Sequence, residues 1–253
     1  MIQIKYHGRF GNQIFQYCYG RILAENYNLH LLPYNGQYSH LIESETYNGR
    51  IITNPTITIN DNSIDYFEYF GNCGYIIDGY FQQWLLYYPW KENIKHWLTF
   101  PKTDFKPNTN DIAIHIRRSD FGWPQNSGML PLSFYTDILE SSTFDKLYIF
   151  GGCSHNNEQS DFDLKVIETF AKYNPIYFGI SAIDDFINIQ KFRRVIQSMS
   201  TFCWWSSFLS DVSEEIYTPI TIGGYWDKEN PLVNLRVNET RYKYIKDVKV
   251  EKW

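Results

Sequence analysis

Between Ile112 and Thr218 the chain repeats one pattern, an apolar run of strand length followed by apolar residues at helical spacing. Strand-like runs fall at 112–117, 146–150, 175–178, 194–197 and 215–218, and helix-like segments at 132–140, 162–173, 183–192 and 202–209. Strands that alternate with helices are joined by crossovers, and this predicts a parallel sheet of the α/β class. In such sheets ligands collect where the carboxyl ends of strands feed helix N-termini, so residues in those loops carry the functional reading.

The first hundred residues add a second α/β segment. Ile2-Gln3-Ile4-Lys5-Tyr6 alternates as a strand, and Gly8-Arg9-Phe10-Gly11 breaks it. Ile14, Phe15, Cys18, Ile22 and Leu23 then recur at helical spacing. A second strand is expected over His30 to Tyr34, and the Asn-rich stretch from Tyr47 to Asn72 reads as turns. An aromatic segment begins at Gly79-Tyr80-Phe81-Gln82 and runs to Phe100, where the polar, proline-flanked stretch Pro101 to Pro107 marks a boundary. The expected organisation is a lobe at 1–106, a second lobe at 107–235 and a tail at 236–253, the tail being an edge strand or a short amphipathic helix.

Composition narrows the function. A net charge of −5 over 253 residues provides no broad positive field for nucleic-acid backbones or anionic lipids, so any bound phosphate is held locally. Aromatic residues make up 19%, a content suited to stacking on bases and sugars and equally compatible with a biased genome. Cys18, Cys73, Cys153 and Cys203 lack metal-knuckle spacing, and no segment has the pattern of a signal peptide or membrane span. The expectation is a cytoplasmic protein with reduced thiols, no metal, and small-molecule rather than nucleic-acid partners.

Three segments carry candidate chemistry. In His115-Ile116-Arg117-Arg118-Ser119-Asp120-Phe121 the two arginines leave a strand on opposite sides, one as a phosphate clamp and the other paired with a carboxylate, unless both form surface ion pairs. Ser200-Thr201-Phe202-Cys203-Trp204-Trp205 lies where a strand passes into a helix, and reads as a phosphate contact or as an ordinary serine cap. Gly8 to Gln13 lacks dinucleotide and P-loop spacing; it is a tight turn, or a loop presenting Asn12 and Gln13 to hydroxyl groups. Asp161-Phe162-Asp163 fits a helix start better than a manganese motif, and Asp184-Asp185 is another helix start or a nucleobase contact.

Taken together, in this order, the segments resemble glycosyltransferase family 11, the α-1,2-fucosyltransferases. Gly8 to Tyr17 is similar to that family's G-x-G-N-Q-x-F-Q-Y, His115 to Phe121 to its H-x-R-R-G-D-Y, and Ser200 to Trp205 to its S-T-F-S-W-W. Gly79-Tyr80-Phe81-Gln82 and Asp185 fall between at family-like spacing. Ser119 and Met199 stand where the family has glycine and asparagine, and Gly151-Gly152-Cys153-Ser154-His155-Asn156 stands where it usually has Ser-Asp-Asp.

The resemblance implies a GT-B architecture of two Rossmann-like lobes facing a cleft, with GDP-fucose held by the C-terminal lobe and no metal required. It implies that Arg117, with His115 and Arg118, grips the diphosphate, that Ser200, Thr201 and Phe202 add contacts to it, and that Asp185 meets the guanine. Asn12 becomes a catalytic-site residue of the acceptor-side lobe. Asp120 is the nearest carboxylate for a general base, or a salt-bridge partner that orients Arg118. The expected reaction is inverting transfer of L-fucose to a sugar hydroxyl, the 2-OH of a galactoside. The alternatives are another GDP-sugar or acceptor, and a non-catalytic carbohydrate-binding protein.

Overall fold

The structure, a computed structural model, describes residues 1–39, 43–44, 47–66, 72–117, 129–151, 161–179, 181–223 and 226–251. They form two compact units. Unit 1 comprises Met1–Pro101 and Pro231–Val237, and unit 2 comprises Lys102–Asn230 and Asn238–Trp253.

Unit 1 contains β1 (Ile2–Ile4), α1 (Phe10–Tyr27), β2 (Glu43–Ser44), β3 (Thr56–Ile59), β4 (Gly74–Ile77), α2 (Trp84–Tyr87), α3 (Lys91–Trp97) and β5 (Leu98–Thr99). Its main sheet is parallel, in the order β1-β4-β3. α1 is buried along most of its length and ends at Asn28, a residue type that tolerates the left-handed turn (φ 51°) closing a helix. The strand expected over His30 to Tyr34 is reduced to isolated bridges at Leu29 and Leu31. The segment bonds to β1 through Leu32 N and Ile2 O, and Pro33, having no N–H, cannot extend that ladder. The Asn-rich stretch read as turns contains β3, which the four residues Thr-Ile-Thr-Ile form by pairing with β4.

Unit 2 follows the expected alternation. β6 (Ile112–His115), α4 (Leu132–Glu140), β7 (Leu147–Phe150), α5 (Asp161–Phe170), β8 (Ile176–Phe178), α6 (Ala182–Ile189), β9 (Arg194–Ile196), α7 (Thr201–Leu209), β10 (Glu215–Ile222) and β11 (Tyr242–Lys249) succeed one another. The six strands form one parallel sheet in the order β11-β10-β9-β6-β7-β8. The tail is therefore an edge strand. Counted along the chain this is the 3-2-1-4-5-6 arrangement of Rossmann-like sheets, in which the winding reverses between the first and fourth strands, here β6 and β9.

The sheet is covered on both faces, and period-two alternation assigns each residue to one of them. Ile112, Ile114, Leu147, Ile149 and Ile196 pack with Leu132, Tyr135, Ile138 and Leu139 of α4 and with Val166 and Phe170 of α5. Their neighbours Ala113, Tyr148, Phe150 and Val195 pack on the other side with Ile189, Phe192 and Cys203. Aromatic residues supply much of this mass, and Trp204, Trp205, Tyr75, Tyr87, Phe15 and Phe208 are all fully buried. Cys18, Cys73 and Cys203 are buried and not disulfide-bonded, and Cys153 lies outside the described residues. Among the described residues no helix is long and apolar enough to cross a membrane.

Between β10 and β11 the chain leaves unit 2. Residues 231–237 join unit 1, where Asn234 N donates to Gln82 O and Trp84 N donates to Asn234 O, each at 2.8 Å. Lys102 onward belongs to unit 2, where Lys191 Nζ donates to the carbonyls of Thr103 (2.6 Å) and Phe105 (2.9 Å).

Central and edge positions of the six-stranded sheet should respond differently to truncation. Ile196 is wholly buried on β9, whereas Ile176 on the edge strand β8 is 38% exposed. Ile196→Ala should cost about 2–5 kcal/mol of unfolding free energy and Ile176→Ala less than about 1 kcal/mol, measured by denaturant unfolding.

Candidate functional site

In unit 2 the chain leaves β6 toward α4 on one face and leaves β9 toward α7 on the other. This divergence opens a crevice at the carboxyl ends of the two strands. His115 is the last residue of β6 and falls on the α6/α7 face with Ala113. Its Nδ1 shares a 2.6 Å hydrogen bond with Ser198 Oγ, just beyond β9, so one bond joins the ends of the two strands. The ring lies 5.6 Å from Phe202, which packs edge-on against Phe186 of α6 at 5.3 Å.

Arg117 is half-buried two residues beyond the strand, and its Nη1 donates to Ser200 Oγ at 3.3 Å. Ser200 occupies the N-cap position of α7 with extended backbone, yet its side chain makes no capping hydrogen bond. The serine that the sequence leaves between helix cap and ligand contact is turned to the guanidinium instead. Thr201 and Phe202 form the first turn of α7, where the helix dipole favours negative charge.

His115 is neutral in the working pH range. Burial, and then the nearby positive charge of Arg117, push its pKa down to about 3. It therefore contributes a neutral hydrogen-bonding ring, and the cationic charge comes from Arg117.

Asp185 lies in the first turn of α6, which Ser181 caps by accepting from Asp184 N at 3.0 Å. Asp185 is 8% exposed, its Oδ1 has no hydrogen-bond partner among the described residues, and burial followed by the Asp184 carboxylate pushes its pKa up to about 7. A buried carboxyl with an unused acceptor oxygen suits a ligand edge that offers N–H donors. Phe186, the next residue, links the start of α6 to Phe202.

Asn12 belongs to unit 1. It lies in the first turn of α1, and its Oδ1 accepts from the buried Gln82 Nε2 at 3.2 Å. Gly8 has a positive φ of 69°, a conformation that favours glycine, and a Cβ there would displace the Asn12 amide from its place. Gln13 closes the loop by donating to Gly8 O at 3.0 Å and accepting from Tyr34 OH at 2.6 Å. Arg118 and Asp120 lie outside the described residues, as do Ser119 and Gly152 to Asn156. α5 starts at Asp161, in keeping with the helix-start reading of that acid pair, and among the described residues no group of three or more His, Cys, Asp or Glu side chains is arranged to hold a metal ion.

Ser198 escaped the sequence reading. Its only signal is a hydroxyl directly after a strand at the point where the winding reverses, and that point is defined by strand order. Set against known proteins, the chain matches no family model and no curated protein.

Two outcomes follow from this geometry. Ser181→Ala removes a working cap and should cost about 1 kcal/mol, whereas Ser200→Ala should cost less than about half of that, as judged by denaturant unfolding of both variants. The second concerns pH. Folded Asp185 keeps its proton up to about pH 7, while the unfolded group releases it near 4, so this residue lowers stability as pH rises between those values. His115 acts oppositely: its contribution is full above about pH 6.5 and is lost as pH falls toward 3. Asp185→Asn should therefore stabilise the protein more at pH 7 than at pH 5, and unfolding measured at both pH values checks it.

Proposed function

We propose that this chain is an inverting glycosyltransferase of the GT-B type that moves L-fucose from GDP-fucose to a sugar hydroxyl, the 2-OH of a galactoside. In this reading unit 2 holds the nucleotide sugar and unit 1 the acceptor. The observation that carries it is the pairing of Arg117 with Ser200 at the carboxyl ends of β6 and β9. A permanent cation, a hydroxyl not used as a cap and the positive end of a nine-residue helix meet where Rossmann-like sheets bind nucleotides. The likeness of Gly8 to Tyr17, His115 to Phe121 and Ser200 to Trp205 to the family 11 motifs supports the choice of GDP-fucose.

The chemistry asked of these residues is mainly electrostatic. As the acceptor oxygen attacks the anomeric carbon, the bond to the diphosphate breaks and negative charge grows on the departing GDP. Arg117 exchanges its long bond to Ser200 for phosphoryl oxygens, with Ser200 and the first turn of α7 as further donors. Neutral His115 holds the strand ends together without a second positive charge beside the guanidinium. Asp185 accepts from the N–H edge of guanine, the task its unused Oδ1 fits. No metal enters this scheme.

A second reading keeps the fold and changes the donor or the acceptor. It is favoured by Gly151, whose φ of 70° opens the segment that replaces the family's acids; a Cβ there would come within 2.9 Å of Ile116 O. A carbohydrate-binding protein without catalysis would bind glycan and not GDP.

Incubation with GDP-fucose and a panel of galactosides, with EDTA present, should give a product heavier by one deoxyhexose, read by mass spectrometry. GDP-mannose and GDP-rhamnose in parallel separate the donors. Arg117→Ala should lower kcat by about 100- to 1000-fold and weaken GDP binding in calorimetry. Absence of GDP binding by the wild type would reject the transferase reading.

A further inference from the structure

A second cluster of titratable side chains sits in unit 1, on residues to which the sequence assigns no chemical role. β1 and β4 are parallel neighbours, so the segments that follow them, Lys5 to Arg9 and Asp78 to Gln83, emerge at the same end of the sheet. There Asp78 accepts from Lys5 Nζ through one oxygen and faces His7 Nε2 with the other, both at 2.8 Å. The hydrogen bonds from Lys5 and then His7 hold the Asp78 carboxyl below its usual range. An ionised carboxylate only accepts hydrogen bonds, so Nε2 carries the hydrogen and the lone pair of an unprotonated ring falls on Nδ1.

His7 is placed for use. Its side chain is 44% exposed, its backbone N donates to Gln16 Oε1 at 3.0 Å, and no hydrogen bond occupies Nδ1 among the described residues. The groups around it are Asp78, Lys5 acting through Asp78, and the Tyr80 ring at 6.3 Å. It directly precedes Gly8, beside whose Cα the Asn12 amide lies, and Gln82 Nε2 holds that amide's oxygen. A base with a fixed tautomer, on a loop that an oriented amide also meets, suits a hydroxyl that must lose its proton.

We propose that His7 is the general base of the transfer, taking the acceptor hydroxyl proton at Nδ1 while Asp78, a positioning residue, holds the ring. The inference rests on the transferase reading above. In the step, the hydroxyl O–H bond breaks and its proton passes to Nδ1. The oxygen bonds to the anomeric carbon, and the bond from that carbon to the diphosphate breaks, its electron pair leaving with GDP. The imidazolium formed is stabilised by Asp78 and later yields its proton to solvent.

The test uses the full chain with GDP-fucose and the galactoside it fucosylates. His7→Ala should lower kcat by about 100-fold or more, and added imidazole should restore at least about tenfold of the loss. Asp78→Asn should lower kcat about tenfold or more with acceptor KM little changed. GDP affinity, measured by calorimetry, should be the same in both variants as in wild type, and unchanged thermal unfolding reports that they fold. A His7→Ala kcat within about threefold of wild type overturns the proposal, as does a loss that imidazole does not relieve. In either case wild-type product and GDP binding leave the transferase reading standing. If the wild type neither binds GDP nor forms product, that reading falls and the role of His7 falls with it.

Discussion

The hydrogen-bonded pairing of β6 with β9 is the constraint on which the site of unit 2 depends. These strands are separated in sequence by β7 and β8 and are neighbours in the sheet, so the chain has crossed back past its own starting point. Their onward connections must then run to opposite faces, and a gap opens that neither connection fills. His115 and Ser198 meet across that gap, and Arg117 reaches Ser200 in the same way. Reordering the sheet would leave each of these residues at the end of a strand without its partner.

Electrostatics in the gap is local. The chain as a whole is acidic, with a net charge of −5, while the crevice holds a guanidinium and the positive end of a buried helix. His115 stays neutral because burial and Arg117 both oppose its protonation. Among the described residues of the gap, Arg117 is the cation and His115 and Ser200 are neutral donors. Asp185 is the counterpart, a carboxyl that burial keeps near the balance between protonated and ionised.

Much of unit 2 is legible in the sequence, because its strands are apolar runs and its helices carry a clear period. Leu132 to Glu140 is read residue for residue. The order of the strands is not legible: it follows from which strand ends meet, and local pattern does not record that. In unit 1, β3 falls in the stretch that reads as turns and β4 in one that carries no assignment, and each is a four-residue strand that pairing with its neighbour defines. The same distinction divides the sites. Arg117 and Ser200 stand out in compact motifs, whereas His7 and Asp78 lie 71 positions apart and become a pair only through the register of β1 and β4. The aromatic content, open in the sequence between ligand stacking and bias, goes largely into the cores, and Phe202 and Phe186 are the aromatic rings that line the route from His115 to α6.

The excursion of residues 231–237 bears on how the molecule is made. Unit 1 is incomplete until residues 231–237 have been synthesised, because Asn234 supplies backbone partners to Gln82 and Trp84. The last strand of unit 2 is synthesised later still. Neither unit is therefore one continuous stretch of chain, and a nascent chain holds unit 1 without Asn234 and the six-stranded sheet without its edge strand until residues 231–249 have been added.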